Sequence, residues 1–161
     1  MLKVKEIMSQ PVLTVTPDTL VKDAALLLEQ KSISGVPVVE AGRIVGVFSE
    51  ADILRSIKTT KKDLRLIYPS VSSLGIAFQE EVTQREILEA YDEIGRRPVS
   101  DVMSKEVVTI EPETPLNEAI VKMVRKGISR LPVVNKQELV GIVTRGDVIR
   151  GLAKEGVTNT H

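Results

Sequence analysis

The chain has 161 residues, 42% apolar and 27% charged, a composition that suits a globular fold and excludes a disordered one. Its 22 basic residues balance 22 acidic ones, aromatics make up 2%, and Cys is absent. This leaves no basis for global steering of polyanions, base-stacking platforms, disulfides or thiolate catalysis. The only His is His161 at the very end, which removes a Ser–His–Asp triad and most His-based metal sites.

The opening stretch, "MLKVKEIMSQPV", lacks the long apolar run of a signal peptide. Nothing further along approaches the roughly 18 uninterrupted apolar residues of a membrane span. A soluble, cytoplasmic protein is expected. Val12–Val15 reads as a short β-branched strand closed by Pro17, and Thr19 suits the N-cap of a helix over "LVKDAALLLEQK". "VPVVEAGRIVGVF" predicts two strands joined by a tight turn at Ala41-Gly42, after which Ser49 opens a second helix, "EADILRSI". Residues 58–98 begin basic and polar, with Lys58, Lys61, Lys62 and Arg65, and continue through the apolar, turn-containing "LIYPSVSSLGIAF". They end in an amphipathic helix: Thr83-x-x-Glu86 fits a capping box, Ile87, Leu88, Tyr91 and Ile94 share a face, and Gly95 suits C′. The first pattern then returns. Val107–Ile110 is a strand closed by Pro112, Thr114 an N-cap with Pro115 at N1, and "LPVVNKQELVGIV" a strand pair. Thr144 opens the last helix, "RGDVIRGL".

Laying Val4–Arg55 over Val99–Arg150 gives a constant offset of 95 residues with no gap. Met8, Ser9, Pro17, Ile33, Ser34, Pro37, Gly46, Asp52 and Arg55 are among the identities. Two homologous β-α-β-β-α units are therefore written into one chain: 1–57 and 99–155, with the insert 58–98 between them and a tail at 156–161. Each is too small to hold a core alone, so an α/β fold with the two sheets packed together is expected.

Ser49-x-x-Asp52 and Thr144-x-x-Asp147 fit capping boxes, hydroxyl at N-cap and carboxylate at N3. A helix N-terminus also attracts phosphate, and an Asp in its first turn can accept both hydroxyls of a ribose. Spacing alone leaves both readings open. The full pattern, "MS…T-x-x-P…A…ISG-VPVV…IVG-V-FSEAD", resembles the CBS domain, and the tandem is similar to a CBS pair, or Bateman module. The resemblance covers about two-thirds of the chain and extends to the regulatory region of IMP dehydrogenase; neither a catalytic barrel nor a nucleophilic Cys accompanies it here.

The resemblance implies a non-enzymatic sensor of adenine nucleotides or adenosyl ligands (AMP, ADP, ATP, S-adenosylmethionine), without metal or required cofactor, in two composite clefts. In the first, Thr144, Asp147 and Arg130 would meet ribose and phosphates. Val4–Ile7 (with Lys5), Gln10, Pro11, Val12, Ile33, Ser34 and Gly35 would meet the base. The second would use Ser49 and Asp52 with Val102, Lys105–Val107 (including Glu106), Ile128 and Ser129. Arg130 stands where the first copy has Gly35, and its planar fork suits phosphate oxygens, so the Asp147 cleft is expected to prefer phosphorylated ligands. Glu50 adds negative charge beside Asp52, which suits a less charged ligand there. Family members commonly form flat homodimers through their helices, and the apolar "ILRSI" and "VIRGL" could supply the seam. An unidentified regulated protein is a further expected partner, and two rivals stand beside the sensor: a constitutive dimeric scaffold or interaction protein with vestigial clefts, and a nucleic-acid binder using the Lys-rich insert.

Overall fold

The computed structural model describes residues 1–60, 66–72, 75–81 and 83–158; Lys61, Lys62, Arg65 and His161 lie outside the described residues. Its elements are α1 (Val4–Ile7), α2 (Val21–Gln30), β1 (Gly35–Glu40), β2 (Arg43–Ser49), α3 (Glu50–Thr60), β3 (Leu66–Ser72), β4 (Gly75–Glu81) and α4 (Gln84–Gly95). A 3-10 turn at Val99–Asp101 follows, then α5 (Leu116–Lys126), β5 (Arg130–Asn135), β6 (Glu138–Thr144) and α6 (Arg145–Thr158). Among the described residues the strands form three two-stranded sheets, β1–β2, β3–β4 and β5–β6. Twice, then, the order helix, hairpin, helix appears at the spacing the repeat predicts.

The chain forms two compact units, and both are discontinuous. One contains Met1–Thr14, Pro37–Gly46 and Lys105–His161; the other contains Val15–Val36 and Val47–Ser104. The leading segment of the first copy therefore packs with the helices of the second, and that of the second copy packs with the helices of the first. In the unit holding α5 and α6, Lys3 bridges Pro115, with Val4 N–H donating to Thr114 O (2.9 Å) and Leu116 N–H to Leu2 O (2.8 Å). In the other unit Leu20 bridges Pro98, with Val21 N–H on Arg97 O (2.9 Å) and Val99 N–H on Thr19 O (2.7 Å).

These bridges displace two expected helix starts. The N-caps are Leu20 and Pro115, without side-chain caps, in place of Thr19 and Thr114, and Pro115 sits at N-cap rather than N1. First-turn N–H groups at Val21 and Leu116 already have backbone carbonyls, so a hydroxyl cap is not needed. Thr19 Oγ1 instead accepts from Thr16 N–H at 3.1 Å.

The expected strands at Val12–Val15 and Val107–Ile110 shrink to isolated bridging residues. Ile110 pairs with Val133 in parallel, through Ile110 N–H on Pro132 O and Val134 N–H on Ile110 O. Extending that ladder backwards would require an N–H from Pro132, which has none.

The core of the α5–α6 unit is Val4, Ile110, Leu116, Ala119, Met123, Leu131, Val133, Val143 and Val148. Val4 brings α1 into it, and Glu113 anchors the same segment from outside, ion-paired to Lys3 (2.7 Å) and Lys5 (2.6 Å). The hydrogen bonds and charge of these two lysines lower the Glu113 carboxyl from 4.5 to about 2. A depressed carboxylate stabilises the fold above its unfolded value and stops doing so as pH falls through the folded one. Wild type and Glu113→Gln should therefore differ in melting temperature above pH 4.5 and converge as pH falls towards about 2.

Both hairpins turn through two residues with positive φ, Ala41 (51°) and Gly42 (79°), then Lys136 (50°) and Gln137 (71°). This is the primed turn that matches strand twist, and the first was expected. Gln137 occupies it without glycine's freedom. Gln137→Gly should raise stability by about 0.5–1 kcal/mol, read by thermal denaturation.

Within the other unit α4 packs on α2 and α3. Its capping box forms as expected: Thr83 N–H donates to Glu86 Oε2 (2.9 Å) and Glu86 N–H to Thr83 Oγ1 (3.3 Å). Its apolar face is buried only in part. Ala90, Ile94 and Gly95 are buried, whereas Ile87, Leu88 and Tyr91 are 41%, 60% and 38% exposed. Gly95 is the last helical residue rather than a left-handed C′ glycine; an added Cβ there would meet Lys22 Cβ at 3.1 Å. Close approach to α2 explains it.

Candidate functional site

The two boxes anticipated at the second helix of each copy are present. Thr144 ends β6 and Ser49 ends β2, each the residue before its helix. Thr144 N–H donates to Asp147 Oδ2 at 2.9 Å, and Asp147 N–H returns to Thr144 Oγ1 at 3.2 Å. In the first copy Ser49 N–H and Oγ both donate to Asp52 Oδ2, at 2.8 and 3.2 Å. Strand register puts Arg130 opposite Thr144, so Arg130, Thr144 and Asp147 converge at one end of the β5–β6 hairpin. Both aspartates are only 4% exposed, and among the described residues they are the only buried charged side chains.

Neither carboxylate waits unoccupied. Asp147 Oδ1 accepts from the Arg150 guanidinium, and Asp52 Oδ1 from that of Arg55; each arginine lies one turn along the same helix and is 67% exposed. Asp147 has one more partner that sequence reasoning missed. Ser9 Oγ donates across both carboxylate oxygens, at 3.1 and 3.3 Å. Backbone bonds hold Ser9 there, Ser9 N–H on Ile142 O (2.8 Å) and Ile142 N–H on Ser9 O (3.2 Å). The repeated Met-Ser pair, Met8-Ser9 and Met103-Ser104, was the available signal; in the other unit Ser104 bridges Val47 in the same way. The capping reading is thus realised reciprocally at Thr144 and Asp147, and through the Asp52 carboxylate alone at Ser49, and any ligand must take bonds from groups already in place.

Asp147 and Arg150 line a cavity of about 190 Å3 with Leu2, Glu6, Ile7 and Lys154. Gln10, Pro11 and Val12 line a different one, about 450 Å3, with Thr14, Val39 and Val140, and Gln10 Nε2–H donates to Val140 O at 2.6 Å. Lys5 turns its amine to Glu113. All of these belong to the α5–α6 unit, with Arg130, Thr144, Glu106, Val107, Ile128 and Ser129; Ile33, Ser34, Gly35, Ser49, Asp52 and Val102 belong to the other. The strand-entrance serines sit beside the boxes of their own copies: Glu50 N–H donates to Ser34 O (3.0 Å) and Arg145 N–H to Ser129 O (3.2 Å). Among the described residues no cluster of acidic or histidine side chains could hold a metal, and no helix is long and apolar enough to cross a membrane.

Comparison with known proteins gives these boxes a context. The protein MJ1426 of Methanocaldococcus jannaschii is 36% identical over 152 residues, covering 92% of this chain and 90% of that protein. The CBS domain-containing protein YhcV of Bacillus subtilis is 32% identical over 148 residues, covering 92% and 84%. Among solved structures, the CBS-pair protein CBSX2 of Arabidopsis thaliana superposes with a TM-score of 0.73 at 26% identity, covering 96% of each chain. A second CBSX2 structure, in complex with AMP, gives 0.71 at 26% identity over 97% and 99%. The family model for the CBS domain matches residues 4–59 and again 99–154, so the chain belongs to the CBS domain family and carries a tandem pair of its units.

Proposed function

We propose that the protein is a non-enzymatic regulatory module that binds an adenine nucleotide or adenosyl ligand. The observation that carries this reading is the pair of buried carboxylates at equivalent helix N-termini, in a chain similar to a CBSX2 that was solved in complex with AMP. Asp147 takes the ribose hydroxyls, while the Thr144 end of α6 and the Arg130 guanidinium take phosphate. Ser49 and Asp52 offer the same cap without the arginine, because Gly35 occupies its place. AMP, ADP, ATP and S-adenosylmethionine are the candidate ligands. A ligand of this kind regulates by favouring whichever conformation binds it better. Calorimetric titration with these four tests the reading. Saturable binding by at least one supports it, and no heat from any supports a constitutive scaffold instead.

The signalling unit is a homodimer formed through the helices. Exposed apolar residues recur at equivalent places in the two copies, Leu26 with Val121 and Leu54 with Ile149, at 50%, 45%, 67% and 64% exposure. Surfaces repeated in this way suit a symmetric partner. Ile149→Glu should convert the dimer to a monomer in sedimentation or light scattering.

A further inference from the structure

We propose that Arg150, and Arg55 in the equivalent place, is an internal competitor for the ribose and sets which ligands the aspartate admits. The inference rests on the nucleotide-binding reading above. A carboxylate offers about four lone-pair sites. Asp147 Oδ2 spends one on Thr144 N–H, Oδ1 spends one on Arg150, and the Ser9 hydroxyl is shared between the two oxygens. A ribose diol brings two O–H donors, and Asp147 has no room for both until a present donor leaves.

Three donors could leave, and they differ in what their departure costs. Thr144 N–H is the helix cap itself and cannot withdraw without opening the first turn of α6. Two backbone bonds to Ile142 hold Ser9 beside the carboxylate, and its uncharged hydroxyl, shared between the two oxygens at 3.1 and 3.3 Å, can turn but does not vacate the place beside Oδ1 that the guanidinium fills. The Arg150 side chain is 67% exposed and hydrates freely once released, whereas the carboxylate it leaves is 4% exposed and gains the diol in exchange. Arg150 is the group that yields. The first copy repeats the arginine and the cap with a different third donor: Arg55 meets Asp52 Oδ1, while Ser49 N–H and the Ser49 hydroxyl both hold Oδ2. Only a ligand that supplies hydroxyl donors to the carboxylate can replace the guanidinium, so the pair discriminates for the diol.

Adenosine is the probe, because it carries the diol but no phosphate, and loss of a cation cannot weaken it by removing a phosphate contact. In calorimetric titrations of the full chain, Arg150→Ala should bind adenosine about two- to fivefold more tightly than wild type, the range set by ion pairs of this exposure. Arg150→Lys should return towards the wild-type value. Added salt should tighten adenosine binding to wild type, by screening the competing pair, and leave Arg150→Ala unchanged. Arg55→Ala provides the independent repeat in the first copy. If wild type binds adenosine and Arg150→Ala binds it equally or more weakly, competition is overturned while the nucleotide reading stands. If neither wild type nor either alanine variant binds adenosine, AMP or S-adenosylmethionine, the nucleotide reading fails and the competitor with it.

Discussion

Asp147→Ala is expected to weaken AMP binding by about 10- to 150-fold, the equivalent of one charge-assisted hydrogen bond of about 1.5–3 kcal/mol. Asp52→Ala should cost less for a phosphorylated ligand, because Arg130 stands beside Thr144 whereas the first copy has Gly35 at that place. A larger loss from Asp52→Ala would reverse the ranking of the two sites. Each change also deletes an N3 cap, with an expected stability loss of about 0.5–2 kcal/mol. Asp147→Asn separates the two effects. An amide oxygen can still accept from Thr144 N–H and preserve the cap, yet it lacks the charge that makes the ribose bond strong. Binding should fall in both variants, and melting temperature mainly in the alanine.

Gly141→Ala is expected to destabilise the protein by about 1–3 kcal/mol, as overpacking of a filled core does. A Cβ at Gly141 would stand 2.5 Å from Met8 Sδ, 3.0 Å from its Cγ and 3.3 Å from its Cβ. Relief by rotating only the end of the Met8 side chain is therefore insufficient. The glycine is small because the Met8-Ser9 segment crosses β6 here, at the Ser9–Ile142 bridge. Met8→Ala in the Gly141→Ala background should recover part of the loss, and equilibrium denaturation of the four proteins in the cycle measures the coupling. Strict additivity would mean that the leading segment does not lie on β6 in solution. The same segment delivers Ser9 to Asp147, so Gly141→Ala should also disturb ligand binding.

Much of this architecture was legible in the chain. The gapless offset exposed the two copies, and their shared hydroxyl-x-x-Asp spacing located both boxes before any coordinate did. The Thr83 and Glu86 box was readable for the same reason: capping is local chemistry within four residues. What escaped was set by contacts distant in sequence. An offset of 95 states that Val4 and Val99 are equivalent, but not that each leading segment packs with the other copy's helices. That exchange moved the α2 and α5 starts to Val21 and Leu116, beyond the hydroxyls that sequence favours. It also brought Ser9 to Asp147, 138 positions away.

The insert escaped for a different reason. "LIYPSVSSLGIAF" shows apolar character, yet Pro69 argues against an interior strand, and the β3–β4 pairing places it opposite Phe78 in a two-stranded sheet. In α4 the heptad-like spacing was read correctly as helical, but burial follows Ala90 and Ile94, because α2 and α3 approach on that side.

A crystal structure of the protein grown with AMP tests the account most directly, through the position of the sugar. The account predicts both ribose hydroxyls within about 3 Å of the Asp147 carboxylate, with the Arg150 guanidinium displaced from Oδ1. Bound AMP whose sugar lies away from Asp147, with Arg150 and Ser9 still on that carboxylate, would contradict it.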